Sequence, residues 1–545
     1  MIESQSSTQI NYNFISYEDK KQAFTNVNSS YSLAIDFFST KLNKLHNIEK
    51  SKLYWEIIIG RWLKEICLIH LDRSTSLKKE SDEALDVIYR DFKQNFSIPE
   101  DYSEFYRSSE SDLVEGKVIF SKLFFKEKEN FLLNKKIQIR HLKNIPFLLN
   151  FFLSLYKFIF NLLHIINKGD LHLFSTEHIS KIDKAKIFIK SKGKVFFYLN
   201  LPFIGSKEIF VSHDLRLSLL NDIRDSLYES VHKELLLFLA ISMPKSYIEN
   251  FNYFQALQRI NFINTPKTIL LDNRFRTEDG FKIQLAEWVE KGSITRVLQH
   301  DVNSLLDFDS LFEADQIFKE YLFWNDPKLP PPLRINHFVE IHKSYLIEKS
   351  RVLHNDLYVC RAIPKKQSFS LAYTLHDAQL ILEGRKEFSK LSGNLEKEIL
   401  IRDRVNLLND EEESASFLES NKLKILSNNQ DIHELFNKSR IVVFEGFSTG
   451  IFQCLAINKP FLLFFNKDYI DIRAKKIQLL IQELREMNII CSSPSQLVNS
   501  LSSDFLRTYE TPVFQERLSR LTKSYTPISK DYLNDWIKFI RDSND

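Results

Sequence analysis

A glycine-containing turn between an apolar strand and a helix is the best candidate for binding chemistry in this sequence. The predicted strand Ile441–Phe444 is followed by Glu445, Gly446, Ser448, Thr449 and Gly450. Such a turn presents unpaired backbone N–H groups, hydroxyl donors and the positive end of a helix dipole, which together suit a phosphate. The chain has only 11 glycines in 545 residues, so two of them around one turn favour a functional use. The simpler interpretation is that Ser448 or Thr449 only caps the helix.

A second group of polar residues follows another predicted strand, Ile294–Leu298. Gln299, His300 and Asp301 come directly after it, and open α/β sheets bind their ligands at the carboxyl ends of strands. A histidine in that place can donate to a phosphate or act as a base near neutral pH. The alternative is a histidine that only packs or lies on the surface, and it stays open because the chain has 14 histidines.

The elements that must position these residues are strands that alternate with helices. The other short apolar runs are Val195–Leu199, Thr268–Leu271, Leu357–Val359 and Phe461–Phe465. Runs of this kind, separated by helical stretches, predict α/β domains with largely parallel sheets. Residues 1–90 instead carry apolar positions at helical spacing and predict a helical N-terminal segment.

A proline-rich segment, 325–334, divides the α/β part of the chain. It holds four of the 14 prolines, and proline favours an extended, stiff backbone. Since the chain is also too long for one hydrophobic core, we expect two α/β domains joined there. The predicted units are a helical segment 1–90, a Rossmann-like domain 91–325, a second, donor-binding Rossmann-like domain 335–510 and C-terminal helices 511–545.

Composition narrows the class of protein. The 74 Lys and Arg residues nearly balance 71 Asp and Glu residues, which argues against a nucleic-acid binder held by bulk charge. The four cysteines form no CxxC pair, which argues against a structural zinc site or a disulfide scaffold and favours a reducing compartment. The first residues lack a basic stretch followed by an apolar one, so we expect no signal peptide and a cytoplasmic protein.

The segment 145–166 is apolar and long enough to cross a bilayer, which takes about 20 residues. Its polar residues nevertheless follow one narrow stripe, namely Asn150, Ser154, Lys157, Asn161 and His164. A spanning helix has no reason to align its polar groups in this way. Two interpretations therefore stay open: a core helix with one solvent edge, or a helix that lies in the membrane interface.

Short motifs scattered over most of residues 54–500 carry a family resemblance. They are Trp55-Glu56, Gly60, Trp62-Leu63, Asp72-Arg73, Asn273, Ala286-Glu287, Glu290-Lys-Gly292, Gln299-His300, Glu313, Asp315, Trp324, Arg404, Ser448-Thr449 and Leu455-Ala-Ile-Asn-Lys-Pro460. In this pattern the chain resembles a group of transferases found in O-antigen and surface-polysaccharide gene clusters.

The resemblance implies a GT-B-like glycosyltransferase, in which two Rossmann-like domains face a cleft that binds a nucleotide-activated sugar. It implies that His300 and the turn at Ser448 and Thr449 hold the donor phosphates. The other donor-binding residues on this view are Gln299, Asn273, Arg404, Glu445, Gly446 and Gly450. Glu445 is placed to bind a ribose or sugar hydroxyl.

The reaction this predicts moves the sugar to a surface glycan or its lipid-linked precursor, at the inner face of the cytoplasmic membrane. Because no metal-binding DxD motif stands out, the leaving phosphate needs positive charge and N–H donors from the protein. We therefore expect no metal and no cofactor beside the nucleotide-sugar substrate. The candidate catalytic residues are His300, Asp301 and Asp272, and Glu177 is a further candidate base.

Two departures from the family pattern leave other functions open. The family continues Gln-His with a glycine run, whereas Asp301-Val-Asn-Ser304 follows here, and Gln453 replaces a glutamate. Losing those glycines removes a close approach of the backbone to a ligand. The alternatives are a polyol-phosphate transferase with a similar histidine and serine cleft, and a degenerate scaffold of a glycan-assembly complex.

Overall fold

The computed structural model describes most of the chain, with gaps. The described residues are 13, 17–95, 97–108, 113–123, 147–175, 179–198, 213–255, 264–272, 274–300, 318, 320–324, 329–348, 355–360, 375–402, 420–426, 430–464, 477–502 and 505–542. Within them, the first strand begins at His172, and strands then alternate with helices up to Cys491.

The N-terminal part is helical and continues well past residue 90, where the sequence predicted a boundary. Its helices are α1 (Tyr17–His46), α2 (Lys52–Leu77), α3 (Asp82–Asn95), α4 (Tyr102–Ser108), α5 (Leu113–Leu123) and α6 (Phe147–Ile166). Helix α2 begins where the Ser51 side chain accepts a hydrogen bond from the Tyr54 N–H. It lies at the centre of this part, with Trp55 and Trp62 inaccessible to solvent, because α1 and α5 pack against it.

Five parallel strands form the first sheet, in the spatial order β2-β1-β3-β4-β5. They are β1 (His172–Ser175), β2 (Val195–Phe197), β3 (Thr268–Leu271), β4 (Ile294–Leu298) and β5 (Glu320–Leu322). The helices between them are α7 (Lys181–Lys190), α8 (His213–Arg224), α9 (Ser230–Ser242), α10 (Arg274–Thr277) and α11 (Asp279–Glu290). Parallel neighbours require long crossover connections, and these helices supply them.

Six parallel strands form the second sheet, in the order β11-β10-β9-β6-β7-β8. They are β6 (Asp356–Val359), β7 (Ile399–Arg402), β8 (Leu423–Ile425), β9 (Val442–Glu445), β10 (Phe461–Phe464) and β11 (Ile490–Cys491). Their helices are α12 (Leu333–Glu348), α13 (Leu375–Ser392), α14 (Ile432–Lys438), α15 (Thr449–Ala456), α16 (Gln478–Glu486) and α17 (Pro494–Ser502). Two α/β domains with separate parallel sheets confirm the GT-B-like architecture predicted from the sequence.

The C-terminal helices connect the two domains. They are α18 (Phe505–Tyr509), α19 (Pro512–Tyr525) and α20 (Tyr532–Asp542). Helix α19 packs on α15 of the second domain, whereas α20 returns to α7 of the first domain. There Trp536 meets Phe174 at a ring-centroid distance of 6.2 Å, and its indole N–H donates to the Pro331 carbonyl at 2.8 Å.

Helix α6 buries Tyr156 and Phe160, as a core helix does, but its described solvent edge is apolar and not the polar stripe that the core-helix interpretation of segment 145–166 predicted. Asn161 accepts a hydrogen bond from Asn264, and His164 donates to the Thr265 carbonyl, both at 3.1 Å. The exposed side chains are Leu155, Phe158, Leu162, Ile165 and Ile166. Among the helices that the structure describes, none combines the length and the apolar character needed to cross a membrane.

Candidate active site

Adjacent parallel strands bring Asp272 and His300 together at the carboxyl edge of the first sheet. The register pairs Leu271 with Val297, so the residues that follow the two strands lie side by side. The His300 Nδ1 is 2.8 Å from the Oδ1 of Asp272, whose side chain is 2% exposed. Because an ionised carboxylate only accepts, Nδ1 carries the proton and Nε2 is the acceptor of the neutral ring. The pair therefore orients the imidazole for proton transfer or for phosphate binding.

Gln299 is buried and fixes the position of its neighbour His300. Its backbone N–H donates to the Leu322 carbonyl at 2.9 Å. Its side-chain Oε1 accepts from the Trp324 backbone N–H at 2.9 Å, and its carbonyl accepts from the Trp324 indole at 2.8 Å. These bonds clamp the end of β4 to the end of β5. The assignment of Gln299 to donor binding stays a prediction.

Trp324 also joins this edge of the first sheet to the second domain. Its ring lies 5.6 Å from the Phe452 ring, centroid to centroid, and Phe452 belongs to the first turn of α15. Although Trp324 follows β5, it packs within the hydrophobic core of the second domain. One indole therefore links the residue beside His300 to the helix that opens at the glycine turn.

The glycine turn follows β9, and backbone conformation sets its shape. Gly446 has a φ of 91°, in the left-handed region that favours glycine, and its N–H donates to the Phe464 carbonyl at 3.1 Å. Ser448 occupies the N-cap position of α15, but its side chain makes no capping hydrogen bond. The hydroxyl therefore does not perform the capping that commonly explains a serine at this position.

Gly450 lets α15 approach the sheet closely. A Cβ at this position would lie 2.7 Å from Cζ of Phe444 on β9 and 3.1 Å from Cζ of Phe436 on α14. Phe444 is almost fully buried, so its ring has little room to give way. The second glycine of the turn is therefore required by helix packing, whatever the turn binds.

Glu445, at the end of β9, forms a buried ion pair. Arg385 donates from Nε to Oε1 at 2.8 Å and from Nη2 to Oε2 at 2.6 Å, and the Tyr358 hydroxyl donates to Oε1 at 3.0 Å. Both carboxylate oxygens thus have protein partners, and the assignment of Glu445 to a ribose or sugar hydroxyl stays a prediction. Burial, with the Glu445 charge nearby, raises the pKa of Tyr358 well above its ordinary value, so the phenol remains a donor.

A cleft of about 380 Å³, open solvent included, lies at the carboxyl edge of the first sheet. Its lining includes Asp272, Gln299, Trp324, Pro330, Arg334 and Trp536. The Arg334 Nη1 donates to the His300 carbonyl at 2.9 Å, so a guanidinium stands beside the histidine. A fixed cation with several N–H donors suits a phosphate or a carboxylate. In the sequence Arg334 is the last residue of the predicted linker, and the one signal for a role in the site is its position directly at the start of the following helix.

The structure groups the described site residues at two places. Asp272, Gln299 and His300 meet at the edge of the first sheet, and the residues from Glu445 to Gly450 follow β9. Three predicted site residues and one candidate base lie outside the described residues, namely Asn273, Asp301, Arg404 and Glu177. Their roles stay predictions.

Comparison with known proteins identifies a family for this chain. The sequence model of the family described as LIC12162 family transferase matches residues 1–540. No curated protein matches the sequence. Similar solved structures include MurG from Acinetobacter baumannii, at a TM-score of 0.34 and 10% identity over 68% of this chain and 99% of that one. Another is the UDP-GlcNAc 2-epimerase from Neisseria meningitidis bound to UDP-GlcNAc, at a TM-score of 0.38 and 13% identity over 68% of this chain and 98% of that one. Likenesses of this size carry no argument about activity.

Proposed function

The chain belongs to the LIC12162 family of transferases, and we propose that it moves a sugar from a nucleotide-activated donor to a surface glycan or its lipid-linked precursor. The observation that carries the proposal is the contact path from Gln299 through Trp324 to Phe452. It connects the strand-end loop of one α/β domain to that of the other. Strand-end loops of two connected α/β domains suit a ligand held from both sides.

In this proposal the two domains share the donor phosphates. The first domain supplies charge through the Arg334 guanidinium, and the His300 ring donates from Nε2 when it carries a second proton, while its Nδ1 stays bound to Asp272. The second domain supplies the N–H groups at the start of α15 and the hydroxyls of Ser448 and Thr449. Negative charge grows on the leaving phosphate as its bond to the sugar breaks, and donors already in place stabilise that charge.

The test offers the purified chain a panel of nucleotide-sugar and nucleotide-polyol donors and identifies the products by mass spectrometry. We expect a nucleotide sugar to be consumed, and His300→Ala to weaken donor binding about ten- to a hundredfold. The control His232→Gln, on the half-exposed face of α9, should keep full affinity. Turnover of polyol donors alone would favour the polyol-phosphate alternative. Failure to bind any nucleotide would favour the scaffold.

The same proposal places the acceptor at an anionic membrane surface, with α6 as the contact. Phe158, Ile165 and Ile166 on this helix are 63%, 70% and 63% exposed. Residues 131–169 carry six Lys or Arg residues and no Asp or Glu. An exposed apolar helix face with basic residues near it in the sequence is typical of binding in the interface of anionic lipids.

Sedimentation with vesicles tests this contact. We expect the chain to bind vesicles that contain phosphatidylglycerol more tightly than vesicles of phosphatidylcholine alone. The pair Phe158→Ser and Ile165→Ser should weaken binding at least about tenfold, since burying one such side chain contributes about 1.5–3 kcal/mol. The control pair Val87→Ser and Val231→Ser removes exposed apolar side chains elsewhere and should leave binding unchanged. Equal binding by all three proteins would refute the contact through α6.

A further inference from the structure

Three helices from separate parts of the chain meet around Asp183, His337 and Glu340. Asp183 lies on α7 of the first domain, whereas His337 and Glu340 are three residues apart on α12, at the start of the second domain. One ligand atom from each of the three side chains can be chosen so that all lie within 4.8 Å of one another. The C-terminal helix α20 adds Tyr532, whose hydroxyl is 3.4 Å from Asp183 and 3.3 Å from Glu340.

The protein's own hydrogen bonds do not fully satisfy this cluster. The Nδ1 of His337 is buried without a hydrogen-bond partner, which is costly for a polar atom. Tyr532 has one proton, so its hydroxyl cannot donate to both neighbouring carboxylates at once. Lys186 pairs with Asp183 at 2.9 Å, but its side chain is 55% exposed, and a competing cation can displace it into solvent.

We propose that Asp183, His337 and Glu340 bind a divalent transition-metal ion, represented by zinc, at the junction of the two domains. Imidazole nitrogen and carboxylate oxygen are ligands that zinc binds at about 2.0–2.2 Å. The ligand atoms of a tetrahedral ion with such bonds are about 3.4 Å apart, so small side-chain rotations close the cluster. Glu340 is exposed and has the freedom to make them.

Neighbouring side chains hold the Asp183 carboxylate in place. The Ser180 hydroxyl donates to one of its oxygens at 2.8 Å, and the Lys186 ammonium donates to the other at 2.9 Å. This site contains no cysteine, so a search of the sequence for CxxC pairs cannot reveal it.

A metal here fixes α12 against α7 and α20. Helix α12 also carries Arg334, which donates to the His300 carbonyl. The ion therefore sets the orientation of a helix that supports the candidate active site. The role of the ion is to stabilise the junction of the two domains, and this role is independent of the reaction proposed above.

The test uses the full-length, tag-free chain, stripped of metal with a chelator and desalted. Calorimetric titration with zinc should give about one ion per chain, and saturating zinc should raise Tm by about 2 °C or more. His337→Gln and Glu340→Gln should each lower zinc affinity at least about tenfold. Because Glu340 is exposed, its variant should fold like the parent chain. The control His232→Gln removes a histidine outside the cluster and should bind zinc as the parent does.

Two results overturn the proposal. One is zinc binding that His337→Gln and Glu340→Gln leave unchanged, which would mean adventitious zinc only. The other is a stripped parent chain that takes up no stoichiometric zinc and shows no shift in Tm.

Discussion

The two strand-end regions of this molecule are held in shape by opposite means. In the first domain a buried carboxylate, Asp272, orients the His300 ring through a 2.8 Å hydrogen bond. In the second domain the turn depends on backbone: Gly446 has a φ of 91°, and the Ser448 side chain makes no capping bond. The comparison shows that one domain can contribute charge while the other contributes N–H donors and shape. Changes at His300 or Ser448 should therefore alter binding, whereas changes that disturb the packing around the second region should alter folding.

The largest expected effect comes from breaking the ion pair between Arg385 and Glu445 beneath the second region. Arg385→Leu leaves the Glu445 carboxylate buried without its cation, which should lower the free energy of unfolding by about 3–5 kcal/mol. Replacing both residues by Leu should recover much of that loss, because no unpaired charge remains. Denaturant unfolding measures both variants. A single variant within about 1 kcal/mol of the parent would contradict the role assigned to this ion pair.

Acid should destabilise the part of the molecule that contains the first region. Burial lowers the pKa of His46 and of His172 to about 4, below the unfolded value near 6.5. The unfolded chain then binds more protons between these values, so stability is lost as pH falls from about 6.5 to 4. The expected slope is about 1.4 kcal/mol per pH unit for each histidine. Denaturant unfolding across this range checks the slope, which His46→Gln should reduce. A flat profile would contradict the prediction.

Gly450→Ala tests whether packing shapes the second region. The added methyl would lie 2.7 Å from Cζ of Phe444, so we expect a loss of about 1–3 kcal/mol in the free energy of unfolding. The matched control is Gly393→Ala, whose methyl meets nothing nearer than 3.7 Å and should cost less than about 0.5 kcal/mol. Equal losses for the two variants in thermal or denaturant unfolding would show that the close approach of α15 is not what requires this glycine.

The smallest expected effect on stability is that of Ser448→Ala. Because the side chain makes no capping bond, the free energy of unfolding should change by less than about 0.5 kcal/mol. Ser51 is the matched comparison, since its side chain does cap α2, and Ser51→Ala should cost about 1 kcal/mol. A comparable loss at both serines would mean that Ser448 stabilises its helix after all.

Much of the scaffold of these two regions could be predicted from the sequence. The strands Thr268–Leu271 and Ile294–Leu298 were predicted with the bounds that the structure shows. Strands buried on both faces are continuous apolar runs, and such runs can be recognised without knowing their neighbours. The placement of His300 at a strand end followed from the same pattern.

The pairings could not be predicted, because they depend on the order of strands and helices in space. The bond between Asp272 and His300 requires β3 beside β4. Arg385 and Glu445 are 60 residues apart and meet only once α13 packs on the second sheet. For α6 the periodicity revealed two faces, but not that Asn161 would find its partner within the protein.

Donor affinity in a double-mutant cycle tests the central claim, that the two regions hold one ligand. Calorimetry would compare the parent chain with His300→Ala, Ser448→Ala and the double variant, using the nucleotide sugar selected by the donor panel. Each single change should weaken binding about ten- to a hundredfold, and the double change should cost less than the sum of the two free energies. Unchanged affinity in either single variant, or losses that add fully, would contradict a phosphate site shared by the two domains.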